Sequence, residues 1–321
     1  MNSYPPRYLE TYKKGTLKQK IDYLYKNLES CVICPRKCKV NRLKGEIGFC
    51  KTSKLPKVCS YFLHKGEEPP ISGNRGSGTI FFSHCNMSCC YCQNYKFSQL
   101  GEGEEVSLER LAGMMLELQA QGAHNINLVT PTHVMPQILN ALSIAIAKGL
   151  VLPLVYNTGG YELPEMIDCL DGVIDIYLAD MRYGDNINSL KYSKAKDYPA
   201  FNQLSIKSMY RQVKNVIFDN EGIMLKGLIV RHLVLPGGVS GTDNILKFIA
   251  KNLSCDVHVS LMSQYHPFYR SDEFPEISKR LDVLEYRKAV ALKDSLGLTN
   301  GWVQEDGGLE RLAGVYIKKN T

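Results

Sequence analysis

Cysteine is unevenly distributed along this chain, and its distribution constrains the fold more than any other feature of the sequence. Nine of the eleven cysteines lie between positions 31 and 92, whereas structural cysteines scatter with the core of a protein. The N-terminal sequence lacks the apolar core of a secretory signal, so we expect a cytoplasmic protein, in which disulfides are rare. The cysteines therefore predict metal or cluster ligation in the first third of the chain.

The composition is that of a folded protein. With 44% hydrophobic and 22% charged residues, the chain is too apolar for extended disorder. The longest apolar stretch, 138–156, is interrupted by polar residues and Pro153, so it predicts a helix followed by a strand and no membrane segment. The net charge of +7 is spread without a block of like charges, so nucleic-acid binding is not indicated.

After Gly78, short apolar runs alternate with helical stretches, as repeated β/α units do. Because the runs are apolar on both faces, they predict a parallel sheet buried by helices. Six units are too few for a closed eight-fold barrel, so we predict an α/β fold with an open, partial (β/α)6 barrel and functional residues after the strand ends. The candidate strands are 79–83, 125–129, 151–156, 174–179, 227–235 and 257–262.

The sequence patterns on either side of this barrel differ from those within it. Leu17, Leu24 and Leu28 recur at helical spacing, which predicts a short amphipathic helix before the first cysteine. The segment 31–76 shows little periodicity and predicts an irregular unit held together by metal. We therefore predict three regions: an N-terminal helix and cysteine-rich cap at 1–75, the barrel at 76–305 and a C-terminal tail at 306–321. Near the end of the barrel region we also predict a final helix at about 277–296 and a short strand at 302–304.

One loop, directly after the first predicted strand, carries Cys85, Cys89 and Cys92 in a C-x3-C-x2-C spacing. Three thiolates hold three corners of a [4Fe–4S] cluster and leave the fourth iron open to the amino and carboxylate groups of S-adenosylmethionine. Zinc loops usually pair cysteines as C-x2-C twice, so the spacing favours a cluster. Cys90 adjoins Cys89 and is interpreted as a neighbour of the ligands.

With the aromatic Tyr91 before its third cysteine, this loop resembles the cluster loop of the radical S-adenosylmethionine superfamily. The resemblance covers about residues 76–305 and is strongest to pyruvate formate-lyase activating enzyme, an oxidoreductase, and its uncharacterised relatives. It implies the partial barrel, a [4Fe–4S] cluster, S-adenosylmethionine, and an electron donor such as flavodoxin or ferredoxin.

The resemblance also implies contacts to S-adenosylmethionine. Where the family has a Gly-Gly-Glu run for the amino group, this chain has Thr130 and Thr132, whose oxygens can accept an ammonium. A capped strand-to-helix turn is the alternative for Thr132. Asn157 precedes two glycines at the third strand end, which suit either a ligand or a tight turn.

Two charged positions on later strands complete the implied contacts. Asp180 lies in a segment similar to the family's Asp-x-Lys, with Arg182 in place of lysine, and a salt bridge is the alternative role. Arg231 matches the family's arginine near the S-adenosylmethionine carboxylate, and a charge inside an apolar strand needs a partner. By strand alternation, His232 faces the other way. The polar run 263–267 is expected at the barrel mouth.

Four further cysteines follow the spacing C-x2-C-x3-C-x11-C, namely Cys31, Cys34, Cys38 and Cys50. Four thiolates are enough for tetrahedral zinc or for a second, fully ligated cluster, and the ligand count does not separate the two. Gly45 and Gly48 give the last loop freedom to return. Cys59 could replace Cys50 at a slightly greater cost of loop closure.

These observations predict a radical enzyme that takes a hydrogen atom from a substrate. Within the resemblance, the substrate is either a glycine of a partner enzyme or another macromolecule or small molecule, and no catalytic acid or base is assigned. The alternative is a non-catalytic iron–sulfur electron carrier or a zinc-stabilised binding protein, which needs no open iron. Formation of 5′-deoxyadenosine separates the two classes.

Overall fold

The computed structural model describes residues 4–303 of the chain. Its strands are β1 (Lys57–His64), β2 (Ser77–Phe82), β3 (Glu104–Glu105), β4 (Ile126–Val129), β5 (Leu154–Thr158), β6 (Ile176–Asp180), β7 (Ile217–Phe218), β8 (Met224–Leu233), β9 (His258–Met262) and β10 (Gly301–Val303).

Helices connect and cover these strands. They are α1 (Arg7–Lys13), α2 (Thr16–Lys26), α3 (Pro69–Ser72), α4 (Tyr95–Ser98), α5 (Leu108–Ala120), α6 (Met135–Ala147), α7 (Pro164–Cys169), α8 (Asn186–Ser193), α9 (Tyr198–Val213), α10 (Thr242–Asn252) and α11 (Val283–Ser295). No helix of the described residues is long and apolar enough to cross a membrane.

One sheet organises the molecule. Strands β2, β4, β5, β6, β8, β9 and β10 lie side by side in that order and run parallel. β1 pairs with the outer edge of β2 in the antiparallel sense, and β3 continues beyond β1. Within the described residues the two ends of the sheet do not pair, so the predicted α/β fold with an open, partial barrel is confirmed.

Four details differ from the sequence prediction. The segment predicted to be irregular contains β1, an eight-residue strand. β5 begins only after Pro153, which cannot donate a hydrogen bond to a neighbouring strand. α11 begins at Val283, after the Asp282 side chain caps the amides of Leu284 and Glu285, so it is shorter than expected. β10 adds a seventh parallel strand, whereas residues 304 and 306–321 of the predicted strand and tail lie outside the described residues.

The interior of the barrel is filled from the N-terminal side of the chain. α3 follows β1 and carries Ile71, which packs against Val155, Ile176 and Leu178 in one buried cluster. Because side chains alternate along a strand, these residues share the inner face with Asn157 and Asp180, which lie farther along β5 and β6. The segment around α3 is therefore a plug in the barrel.

The first helix covers the end of the barrel at which the strands begin, and the second packs beside it on a covering helix. α2 packs against α6, and its buried Leu17 and Leu24 belong to the main hydrophobic core. In α1, the Arg7 amide donates to Asp175 Oδ1 at 2.8 Å, and the Tyr8 hydroxyl donates to the Leu152 carbonyl at 2.8 Å. The polar residues of the inner face, Asn157 and Asp180, lie at the opposite end, where the strands terminate.

Candidate functional site

The loop after β2 holds its three spaced cysteines in surroundings that suit thiolates. The Met87 amide donates to Cys85 Sγ at 3.3 Å, and the Ser193 hydroxyl donates to Cys89 Sγ at 3.0 Å. Cys92 Sγ lies 3.1 Å from the Ser98 hydroxyl. A hydrogen bond to sulfur disperses the charge of a metal-bound thiolate, so the donor set fits a cluster held by this loop.

Burial opposes ionisation of the same thiols. It raises the pKa of Cys85 to about 12 and that of Cys92 to about 11, with the neighbouring Cys89 adding to both rises. The positive charge of Arg182 opposes these rises. A cluster bound at this loop would therefore displace protons from these thiols, and its cationic iron core would supply the attraction needed.

A polar cluster lies at the C-terminal ends of the neighbouring strands. On β8, Arg231 donates from Nε to Asp180 Oδ1 at 2.8 Å and from Nη2 to Asn157 Oδ1 at 2.6 Å. Arg182 pairs with the second oxygen of Asp180. These side chains line one cavity together with Cys92, so the structure brings the predicted Asn157, Asp180 and Arg231 together beside the cysteine loop.

Sequence reasoning missed Glu67, which reaches this cluster from the plug before α3. Its side chain is 5% exposed, and its Oε2 lies 3.5 Å from Arg231 Nη1. Its Oε1 accepts from Asn127 Nδ2 at 3.1 Å and from Asn157 Nδ2 at 3.4 Å. Burial raises the pKa of Glu67, and Arg231 opposes that rise. The only sequence signal is an acidic pair beside two prolines, which gives no location.

The other residues predicted to contact S-adenosylmethionine do not all lie at this cavity. Thr130 lines the cavity and has a left-handed backbone with φ 62°, and Tyr91 also lines it. Thr132 instead donates its hydroxyl to the buried carboxylate of Glu162 at 2.5 Å and is absent from the described cavity lining. Its role here is to satisfy a buried acid.

The two glycines after β5 also have different surroundings. Gly159 lines the cavity. Gly160 has a φ of +75°, and a Cβ there would lie 2.3 Å from the Asp180 carbonyl, so this glycine permits close packing within the protein. Farther along the chain, the predicted mouth residues Gln264, Tyr265 and His266 do line the cavity.

The N-terminal cysteines lie at a different place. Cys31, Cys34, Cys38 and Cys50 line a small second cavity. Cys59 lies on β1 beside a separate aromatic cluster, so it is not placed to replace Cys50. Across residues 4–303, no three His, Cys, Asp or Glu side chains are arranged as the ligands of a single ion, and this holds for both cysteine groups.

The chain resembles several known proteins. It is 32% identical over 299 residues to the uncharacterized protein MJ0674 of Methanocaldococcus jannaschii, which covers 90% of this chain and 82% of that protein. A second protein of that organism, MJ0808, is 22% identical over 84% of this chain and 80% of its own length. No family model matches.

Among solved structures, SuiB of Streptococcus suis bound to S-adenosylmethionine matches with a TM-score of 0.48 at 11% identity. The match covers 70% of this chain and 48% of that one, so the chain spans about half the length of SuiB. The sequence match to MJ0674 is far closer and extends over most of both proteins. The chain therefore belongs to the same protein family as MJ0674.

Proposed function

We propose that this protein is a radical S-adenosylmethionine enzyme. The observation that carries the proposal is one cavity lined by both Cys92 of the cysteine loop and Arg231 of the polar cluster. A cluster held by Cys85, Cys89 and Cys92 would stand beside a pocket that suits a zwitterionic ligand. When bound, such a cluster supplies the electron that cleaves S-adenosylmethionine to methionine and a 5′-deoxyadenosyl radical, which then takes hydrogen from a substrate.

In this proposal, different residues of the cavity bind different groups of that ligand. Arg231 and Arg182 present guanidinium groups to a carboxylate. Asp180 and Glu67 offer carboxylate oxygens to an ammonium or a ribose hydroxyl, and Asn157 can serve either partner. In this proposal residues 76–305 form the catalytic barrel, and residues 1–75 form a cap that also contributes Glu67 to the site.

The narrower form of the proposal comes from the sequence resemblance to pyruvate formate-lyase activating enzyme. There the hydrogen atom would come from a glycine of a partner protein, which would contact the half-buried Gln264, His266 and Phe268 at the cavity. The electron would come from a low-potential donor such as flavodoxin or ferredoxin, in the cytoplasm. A non-catalytic electron carrier remains the competing function.

The test begins with anaerobic reconstitution with iron and sulfide, followed by S-adenosylmethionine and a strong reductant. We expect 5′-deoxyadenosine from the native chain and none above background from a variant with Cys85, Cys89 and Cys92 all replaced by alanine. Cys255→Ser is the control, because this thiol is exposed and outside both cysteine groups. A native chain that binds iron but gives no 5′-deoxyadenosine supports the electron carrier. Unchanged iron in the triple variant contradicts the ligand assignment.

A further inference from the structure

The second cavity lies where the N-terminal segment meets the barrel. Besides the four cysteines, its walls include Arg42 from the same segment and His133 from the turn after β4. The cavity therefore exists only when the segment is folded against the barrel. Arg36 lines it as well, so three basic side chains surround the four thiols.

Within the described chain, Arg42 is a buried cation that no acidic side chain pairs with. The residue is 1% exposed, and its Nε donates to the Ser53 carbonyl at 3.2 Å. Among residues 4–303, neither Nη1 nor Nη2 has a hydrogen-bond partner. Leaving a buried guanidinium unpaired is strongly unfavourable. The arrangement therefore calls for an anionic occupant of the cavity that Arg42 lines.

His133 contributes an unshared electron pair to the same cavity wall. Its Nε2 lies 2.8 Å from the Ser83 carbonyl, which can only accept, so Nε2 carries the proton. Nδ1 is therefore an acceptor, and within the described chain it is buried without a partner. Together with Arg36 Nη2, which is also buried without a partner in this part of the chain, three nitrogen donors and one acceptor are left unused around four thiols.

We propose that this cavity is a metal site in which Cys31, Cys34, Cys38 and Cys50 bind as thiolates and Arg42 donates to the coordinated sulfur atoms. Four thiolates around a zinc ion or a [4Fe–4S] core leave a net negative charge, which is the counter-ion that Arg42 lacks. Each thiol releases its proton on binding. Rotation of the cysteine side chains toward a common point completes the ligand shell.

The site would also brace the loop that carries the other three cysteines. The hydrogen bond of His133 ends on Ser83, two residues before Cys85. Arg36, two residues after Cys34, donates from Nε to the Asn86 carbonyl at 2.8 Å. Metal at the N-terminal site would therefore hold both supports of that loop in place.

One buried water molecule is the competing occupant. The free volume of the cavity is about 10 Å³, which is close to the smallest that admits a water molecule. A water could accept from Arg42 and donate to His133 Nδ1 without any metal. The two occupants make opposite predictions about metal content.

The decisive measurement uses the full chain with Cys85, Cys89 and Cys92 replaced by alanine, so that metal bound there belongs to the second site. After exposure to Zn²⁺, or to iron and sulfide under anaerobic conditions, we expect about one zinc, or about four irons and four sulfides, per chain. Adding Cys38→Ser should remove that metal, whereas Cys59→Ser should not. Less than about a tenth of either stoichiometry in the triple variant overturns the proposal.

A second measurement does not depend on a cysteine variant that fails to fold. Arg42→Gln in the otherwise native chain should weaken metal retention against a chelator roughly tenfold or more, as loss of an outer hydrogen bond does at other metal sites. Arg110→Gln, on the exposed surface, is the control. Unchanged retention in Arg42→Gln overturns the role of Arg42. Because metal content is measured without turnover, this site and the radical function can fail separately.

Discussion

At the scale of single residues, Arg231 and its partners form a buried ionic network. The Arg231 side chain is 16% exposed, and the carboxylates of Asp180 and Glu67 beside it are 8% and 5% exposed. A buried charge is tolerable only with its partner, so each member depends on the others. The network therefore stabilises the folded site and also supplies some of its polar side chains.

Arg231→Ala should therefore lower the free energy of unfolding by about 3–5 kcal/mol, because the buried Glu67 loses its cation and Asp180 keeps only Arg182. Chemical denaturation of the protein without iron, under reducing conditions, measures the change. Arg110→Ala is the matched control, since its ion pair with Glu117 is half exposed and is expected to contribute less than about 1 kcal/mol. Equal losses in the two variants would contradict the network.

The sequence predicts part of this network and not the rest. A charge inside the apolar run of β8 must face a polar partner, so the interior position of Arg231 is predictable. The partner Asp180 is predictable too, because it ends β6 and consecutive β/α units place the strand that carries Arg231 directly beside β6. Glu67 is not, because it is 164 positions away from Arg231 and its approach depends on how the plug enters the barrel.

At the scale of elements, α3 shows how an open barrel is filled. Strand periodicity predicts which residues face inward, but it does not predict what occupies the space they enclose. Here a single turn of helix before β2 supplies Ile71, which is completely buried. The β1 strand that leads into it was missed for a related reason, since its pairing with β2 is a tertiary contact.

Ile71→Ala should lower the free energy of unfolding by about 2–5 kcal/mol, through lost burial and the cavity left behind. Ile187→Ala makes the same chemical change at a position that is 79% exposed, and it should stay within about 0.5 kcal/mol of the native value. Thermal or chemical unfolding of both variants measures the difference. A small loss in Ile71→Ala would mean that the plug is not part of the cooperative core.

At the scale of the whole molecule, buried acids shape the dependence of stability on pH. Glu162 accepts hydrogen bonds from Thr132, Thr158 and Tyr156, yet burial raises its pKa to about 7. Between its ordinary pKa, near 4.5, and 7, the unfolded chain releases this proton while the folded chain retains it. Stability contributed by Glu162 is therefore complete below pH 4.5 and is lost as the pH rises to 7.

Glu162→Gln removes this titration and keeps most of the shape. Relative to the native chain, the variant should gain roughly 3 kcal/mol of stability between pH 4.5 and pH 8. Unfolding free energies measured across that range provide the comparison. Glu165→Gln, an exposed neighbour, controls for the loss of one negative charge. A constant difference across the range would show that Glu162 is ionised in the folded protein.

The way in which α1 is anchored has a consequence for the synthesis of the chain. Its amide contact to Asp175 spans 168 residues, so the first helix meets its partner only after more than half of the protein has been made. At ~5–20 residues per second, this interval is on the order of 10 to 30 seconds. Nascent chains that stall before β6 should therefore display the apolar side of α1 to chaperones and to one another.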